Sequence, residues 1–166
     1  GGPGSIYLKN LKVGDTISFM APFGNFVMPP VGSPQEQAET SLAFIATGSG
    51  IAPMPSFLDE LLINRADKRA ITLYWGLRYA DDQFWYDEFA QLAQAHENFR
   101  FHPVLSRAPE DWPLCRGRVT DCLNIHAQAP GTGYYICGSS TMVADVSALL
   151  EKQGVPKTHI HHERFH

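Results

Sequence analysis

The stretch Leu42-Ala43-Phe44-Ile45-Ala46-Thr47-Gly48-Ser49-Gly50-Ile51-Ala52-Pro53 decides the fold. Residues 42–46 form a short, unbroken apolar run, as expected of a strand buried on both faces of a parallel sheet. Two glycines follow, and they let the backbone turn sharply and pass close to a ligand. Pro53 suits the first turn of a helix, where its missing N–H costs nothing. Residues 54–62 then carry Phe57, Leu58, Leu61 and Leu62 at helical spacing. The stretch therefore reads as strand, glycine turn, helix. Free N–H groups at such a helix start bind phosphate well. A plain strand-to-helix turn has the same look, and a glycine pair does not separate the two. The pattern is not Gly-x-Ser-x-Gly, so no nucleophile elbow is indicated.

The alternation continues toward the C-terminus. Ile71–Trp75, Phe99–Leu105 and Tyr134–Cys137 read as further strands, and residues 159–161 as a short last one. Asp81 or Asp82 is placed to cap a helix bearing Phe84, Trp85, Phe89, Leu92 and Ala93. Val119–Ile125 reads as a short helix. Ser140–Lys152 reads as a longer one, with a stripe on Met142, Val143, Val146, Leu149 and Leu150, and Gly154 suits the position after its end. The strand starts at Leu42 and Ile71 lie 29 positions apart, about one strand–helix–strand unit. Four such alternations imply an α/β fold, a doubly wound parallel sheet of the Rossmann-like nucleotide-binding kind, over residues 41–166.

Upstream the texture changes. Ile6–Leu11 reads as a helical turn, Gly14-Asp15 as a turn, and Thr16–Met20 alternates as a strand would. Residues 21–26 read as a strand ending in a tight loop. Residues 29–40 are rich in breakers and read as a linker or surface loop.

In a doubly wound sheet, ligands bind beyond the carboxyl ends of the strands. Those positions hold Thr47-Gly48-Ser49-Gly50, then Gly76-Leu77-Arg78, then Ser106 and Arg107, then Cys137-Gly138-Ser139-Ser140-Thr141-Met142. Arginines at strand ends can clamp a phosphate, though each alone also reads as a solvated surface cation. Cys137 reads equally as a small buried hydrophobe. Trp112, Arg116, Gly117 and Arg118 receive no role from sequence.

Composition narrows the class of function. The chain has 166 residues, 44% hydrophobic and 18% charged, which suits one globular domain. A net charge of −4 argues against a nucleic-acid footprint. No apolar run reaches the ~20 residues of a membrane span. The three cysteines, Cys115, Cys122 and Cys137, include no Cys-x-x-Cys pair, and their scarcity suggests a reducing, cytoplasmic compartment. No metal site is expected. His162 and His166 would chelate an ion only if that tail were helical.

These motifs, taken in order, resemble the ferredoxin–NADP reductase-like flavoproteins, especially the reductase components of oxygenases. Gly1–Ser5 with Leu8, Leu11 and Gly14-Asp15 is similar to the last flavin-phosphate segment of that family's FAD barrel, and Pro22–Phe26 to its closing strand. Thr47–Pro53 is similar to the nicotinamide-nucleotide loop, Tyr135–Gly138 with Met142 to a second loop, and Glu163-Arg164-Phe165 to the C-terminal signature. The family's flavin-gripping arginine–aromatic–serine motif has no counterpart in these 166 residues.

The resemblance implies a dinucleotide-binding domain (41–166), a linker (29–40) and the end of an antiparallel FAD-binding barrel (1–28). It implies NAD(P)H and FAD as cofactors, and a ferredoxin, iron–sulfur or oxygenase partner. By itself the chain is expected to lack FAD and to be inactive. Cys137 and Glu163 would flank the meeting point of nicotinamide and flavin. Thr47, Gly48, Ser49, Gly50, Pro53, Gly138 and Met142 would hold the dinucleotide. Arg78, Ser106 and Arg107 would face its adenosine end, and Gly4, Ser5 and Phe165 the flavin. NADH and NADPH both remain open. The competing reading is a nucleotide-binding regulatory module without redox activity.

Overall fold

The computed structural model describes residues 2–21, 24–126 and 128–165, with only the backbone of Phe165. Six parallel strands form one sheet in the order β4-β3-β2-β1-β5-β6. They are β1 (Ser41–Thr47), β2 (Ala70–Leu77), β3 (Phe99–Leu105), β4 (Cys115–Arg116), β5 (Thr132–Ser139) and β6 (Ile160–Phe165). The helices are α1 (Pro3–Asn10), α2 (Pro34–Ala38), α3 (Met54–Leu58), α4 (Tyr86–Ala95), α5 (Val119–Ile125) and α6 (Ser140–Lys152).

Side-chain alternation along the strands splits the core into two layers. Leu42, Phe44, Leu73, Trp75, Tyr135 and Cys137 point to the face covered by α3 and α4. Ala43, Ile45, Tyr74, Val104, Tyr134 and Ile136 point to the face covered by α5 and α6. With helices on both faces, β1 is buried along nearly its whole length, as its unbroken apolar run requires. The doubly wound sheet read from sequence is thus the observed fold.

Three local expectations are corrected, and a fourth point concerns the C-terminal histidines. Asp81 and Asp82 do not cap the helix that follows β2. They lie in a separate 3₁₀ turn (Ala80–Asp82), and α4 begins only at Tyr86. Among the described residues Thr16–Met20 pairs with no strand, and alternation without a partner leaves the backbone groups of a strand unsatisfied. Of the strand read over residues 21–26, Pro22 and Phe23 lie outside the described residues, and Gly24–Phe26 is irregular. His162 sits on a strand, so the helical chelating geometry is not formed, and His166 lies outside the described residues. Two features are additional. The two-residue β4 was read as loop, and a disulfide joins Cys115 to Cys122.

The segment between residues 24 and 40 is tied to the sheet. Phe26 packs with Phe57 and Tyr135, at centroid distances of 5.3 and 6.2 Å. Glu39 is 1% exposed. It accepts a hydrogen bond from the Tyr135 hydroxyl (2.8 Å), and its other oxygen lies 2.7 Å from His161 Nε2. A buried carboxylate is costly without such partners, so these bonds pin residues 39–41 at the amino edge of the sheet.

Candidate functional site

The strand order reverses between β1 and β5, and a cavity of about 950 Å³ opens there along the carboxyl edge. Its size lies in the range of small-molecule and cofactor sites. The floor is the turn after β1, where Thr47, Gly48 and Ser49 line the cavity. Trp75 Nε1 donates to the Gly48 carbonyl at 3.2 Å and holds that turn against β2. The 3₁₀ turn Gly48–Ile51 then leads through Pro53, the N-cap residue, into α3.

Two glycines are needed here for close approach. A side chain at Gly50 would begin on top of the Cys137 carbonyl and only 2.8 Å from Gly138 Cα. One at Gly138 would begin 2.5 Å from Thr47 Oγ1 and 2.6 Å from Met142 Cε. The ends of β1 and β5 therefore pack backbone to backbone. Ser139 caps α6 by accepting from the Met142 N–H at 3.3 Å. The thirteen-residue α6 thus starts at the cavity, with Ser139, Thr141 and Met142 on its wall. Its unpaired N–H groups and dipole favour an anion there.

The far wall carries Arg78, Ser106, Gly117 and Arg118, with Asp81, Asp82 and Phe84 on the same rim. Asp145 on α6 lies 3.7 Å from Arg118, an exposed pair worth little to stability. Arg107 does not line the cavity. Its guanidinium donates to the Tyr79 hydroxyl at 2.6 Å and lies over that ring.

The cavity thus gathers Thr47, Gly48, Ser49, Arg78, Ser106, Gly138 and Met142 from the sequence-derived set. Gly50 and Pro53 sit behind its floor. Gly4 and Ser5 stand exposed in α1 and are not among its lining residues. The side chain of Phe165 lies outside the described residues; its backbone pairs with Ser139. Sequence reading missed Asp81, Asp82, Gly117, Arg118 and Asp145. The first two follow β2 closely, and that position was the available signal. Arg118 follows a strand too short to show any periodicity.

Cys137 and Glu163 stand beside the cavity, on the face covered by α3. They are direct partners in the β5–β6 ladder, so both side chains leave the sheet on the same side. Burial, and secondarily the charge of Glu163, pushes the Cys137 thiol up to about 11. It is therefore protonated at neutral pH and is no nucleophile. Glu163 is half-buried, and one of its oxygens lies 3.9 Å from where a side chain at Gly24 would begin.

A doubly wound sheet with its cavity at the switch point is a Rossmann-like nucleotide-binding domain. Comparison with known proteins gives the family. The profile of the "Oxidoreductase NAD-binding domain" family matches residues 44–148, and the chain belongs to that family, among the ferredoxin–NADP reductase-like flavoprotein reductases. It is 34% identical to ferredoxin–NADP reductase B of Sorangium cellulosum, over 99% of this chain and 68% of that protein. It is 32% identical to one component of the Na(+)-translocating NADH-quinone reductase of Actinobacillus pleuropneumoniae, over 94% of this chain but 38% of that protein. The chain therefore spans well under half the length of that relative. The cytochrome b5 reductase domain of Ulva prolifera nitrate reductase superposes with a TM-score of 0.83 at 26% identity, over 98% of this chain and 66% of that one. No helix among the described residues is long and apolar enough to cross a membrane.

Proposed function

We propose that the chain is the dinucleotide-binding part of a flavoprotein reductase in which NADH or NADPH reduces FAD, and electrons pass on to a ferredoxin, iron–sulfur or oxygenase partner. The observation that carries this reading is the pairing of Cys137 with Glu163 at the side of a phosphate-favouring cavity. Binding a nucleotide requires neither residue, so a purely regulatory module leaves them unexplained.

The residues present fit a dinucleotide. Glycine at 138 lets Thr47 and Met142 pack directly on the backbone at the end of β5, which draws the two cavity-lining loops together. Gly48, Ser49 and the start of α6 offer N–H donors for a pyrophosphate, and Arg78 with Ser106 suits the adenosine end. When bound, the nicotinamide supplies a hydride and the flavin accepts it. The protein's part is to hold the two rings in register and to keep water out. Cys137, small, neutral and buried, would give the nicotinamide a dry surface to pack on. Glu163 would orient the carboxamide or hold a proton at its carboxylate.

Residues 1–28 belong in this reading to the flavin domain. Ile6, Tyr7, Leu8, Phe19, Met20 and Val27 are all exposed, a density of apolar surface that suits coverage by another domain. A cytoplasmic setting, suggested by the few cysteines, sits against the Cys115–Cys122 bond, which reducing compartments tend to open.

Calorimetric titration of the chain with NADH and NADPH, together with stopped-flow flavin reduction in a protein that joins it to a flavin domain, tests the proposal. Binding followed by rapid flavin reduction is expected. Binding without reduction would favour the regulatory reading.

A further inference from the structure

On the opposite face of the sheet, four side chains that the nucleotide site does not use converge beneath α5. The nitrogens of His102 (β3) and His126 (after α5) and the sulfur of Cys115 (β4) all lie within 4.8 Å of one another. Cys115 Sγ is 3.6 Å from His126 Nε2, and the two imidazole rings are 4.3 Å apart between centroids. Cys122, bonded to Cys115, stands one helical turn before His126, whose N–H donates to the Cys122 carbonyl. Among the described residues, no carbonyl, carboxylate or hydroxyl bonds either imidazole. All three members of the triad are partly exposed, so an ion in solution can reach them.

Two thiolates and two imidazoles form the usual tetrahedral donor set for zinc. We propose that the reduced chain binds one zinc ion through His102, Cys115, Cys122 and His126, and that the Cys115–Cys122 disulfide is the oxidised, metal-free form of the same site. The exchange balances. A dithiol attacks the partly exposed Cys115 sulfur, the S–S bond breaks, and the dithiol closes to its own disulfide while the chain gains two thiols. Zinc then replaces the two thiol protons, which pass to solvent. A small-molecule disulfide reverses the sequence: it is reduced to two thiols, the Cys115–Cys122 bond re-forms, and the ion is expelled. The site draws together β3, β4 and the C-terminal end of α5, contacts that sequence spacing alone does not reveal.

The test uses the whole chain, reduced with a dithiol, desalted without oxygen, and offered zinc chloride. One zinc per chain is expected after a second desalting, and none in the oxidised chain. Cobalt(II) in place of zinc is expected to give the thiolate charge-transfer absorption, weakened in Cys115→Ser and lost in Cys115→Ser/Cys122→Ser. The double variant His102→Ala/His126→Ala is expected to lose at least tenfold in zinc affinity. Dinucleotide binding measured on the same samples reports the fold and the nucleotide reading separately. Should the double variant unfold, alkylation mapping of the wild type decides. Zinc is expected to protect Cys115 and Cys122 and to leave Cys137 unchanged. A reduced chain that retains no zinc would overturn the proposal. So would full affinity in a folded double variant, which would point to the histidines of the C-terminal strand, or cysteines that zinc leaves unprotected.

Discussion

Cys137 and Glu163 are 26 residues apart in sequence, yet they are register partners on adjacent parallel strands and share one face of the sheet. Glu163→Gln keeps the shape and a polar group and removes the charge. In a protein carrying the flavin domain, it is expected to slow flavin reduction about ten- to hundredfold, the scale of general acid–base or charge-assisted contributions. Dinucleotide affinity should hold within about twofold. Stopped-flow rates and a binding titration separate the two. An equal loss in both would mean that the carboxylate serves uniform binding and not the transition state.

The same pair predicts alkaline sensitivity. The Cys137 thiol titrates near 11 when folded, against an ordinary value of 9.0. Above pH 9 the unfolded chain therefore releases this proton first, and stability falls until about pH 11. Below pH 9 the group contributes no pH dependence. The total loss is on the order of 3 kcal/mol. Urea midpoints between pH 8 and 10.5 should fall more steeply for the wild type than for Cys137→Ala. Parallel slopes would show that the thiol is not responsible.

Gly50→Ala places a methyl group against the Cys137 carbonyl. The backbone it meets, Cys137 and Gly138 at the end of β5, is held in the sheet and has nowhere to go. A cost of roughly 1–3 kcal/mol is expected for such overpacking, or about 2–12 °C in Tm for a chain of this size. Thermal unfolding checks this. A Tm within a degree of the wild type would mean that the turn after β1 moves freely.

Coenzyme preference is expected to follow charge on the far wall. Arg78 lines the cavity, whereas Arg107 is engaged by Tyr79. Arg78→Ala is expected to weaken NADPH about tenfold or more relative to NADH, while Arg107→Ala changes the ratio little. Removing both carboxylates, Asp81→Asn with Asp82→Asn, should shift the ratio toward NADPH, since carboxylates on that rim would repel a 2′-phosphate and could accept from a ribose diol. Dissociation constants for both coenzymes in the three variants check this. If Arg78→Ala weakens both coenzymes equally, the arginine does not read the 2′-phosphate.

What the sequence by itself determined is the alternation and its consequences. The apolar run at residues 42–46, the glycine turn after it and the helical stripe on residues 142–150 are local patterns, set by backbone sterics and burial period, so they are legible without the fold. The rule that ligands gather beyond the strand ends then marked Gly48, Ser49, Arg78, Ser106 and Gly138, and the cavity collects those residues. Other features needed the folded chain. β4 has two residues and exists only because β3 offers it a partner. Arg118 reaches the cavity because that strand ends there. Asp81 and Asp82 looked like a helix cap because capping and cavity lining use the same side chains, and only the position of α4 separates the two. Arg107 follows Ser106 in sequence, yet the hydroxyl of Tyr79 draws it away from the site. The meeting of His102, Cys115, Cys122 and His126 is likewise tertiary: sequence patterns record neighbours along one element, and contacts between elements depend on strand order and on the helix that crosses above them.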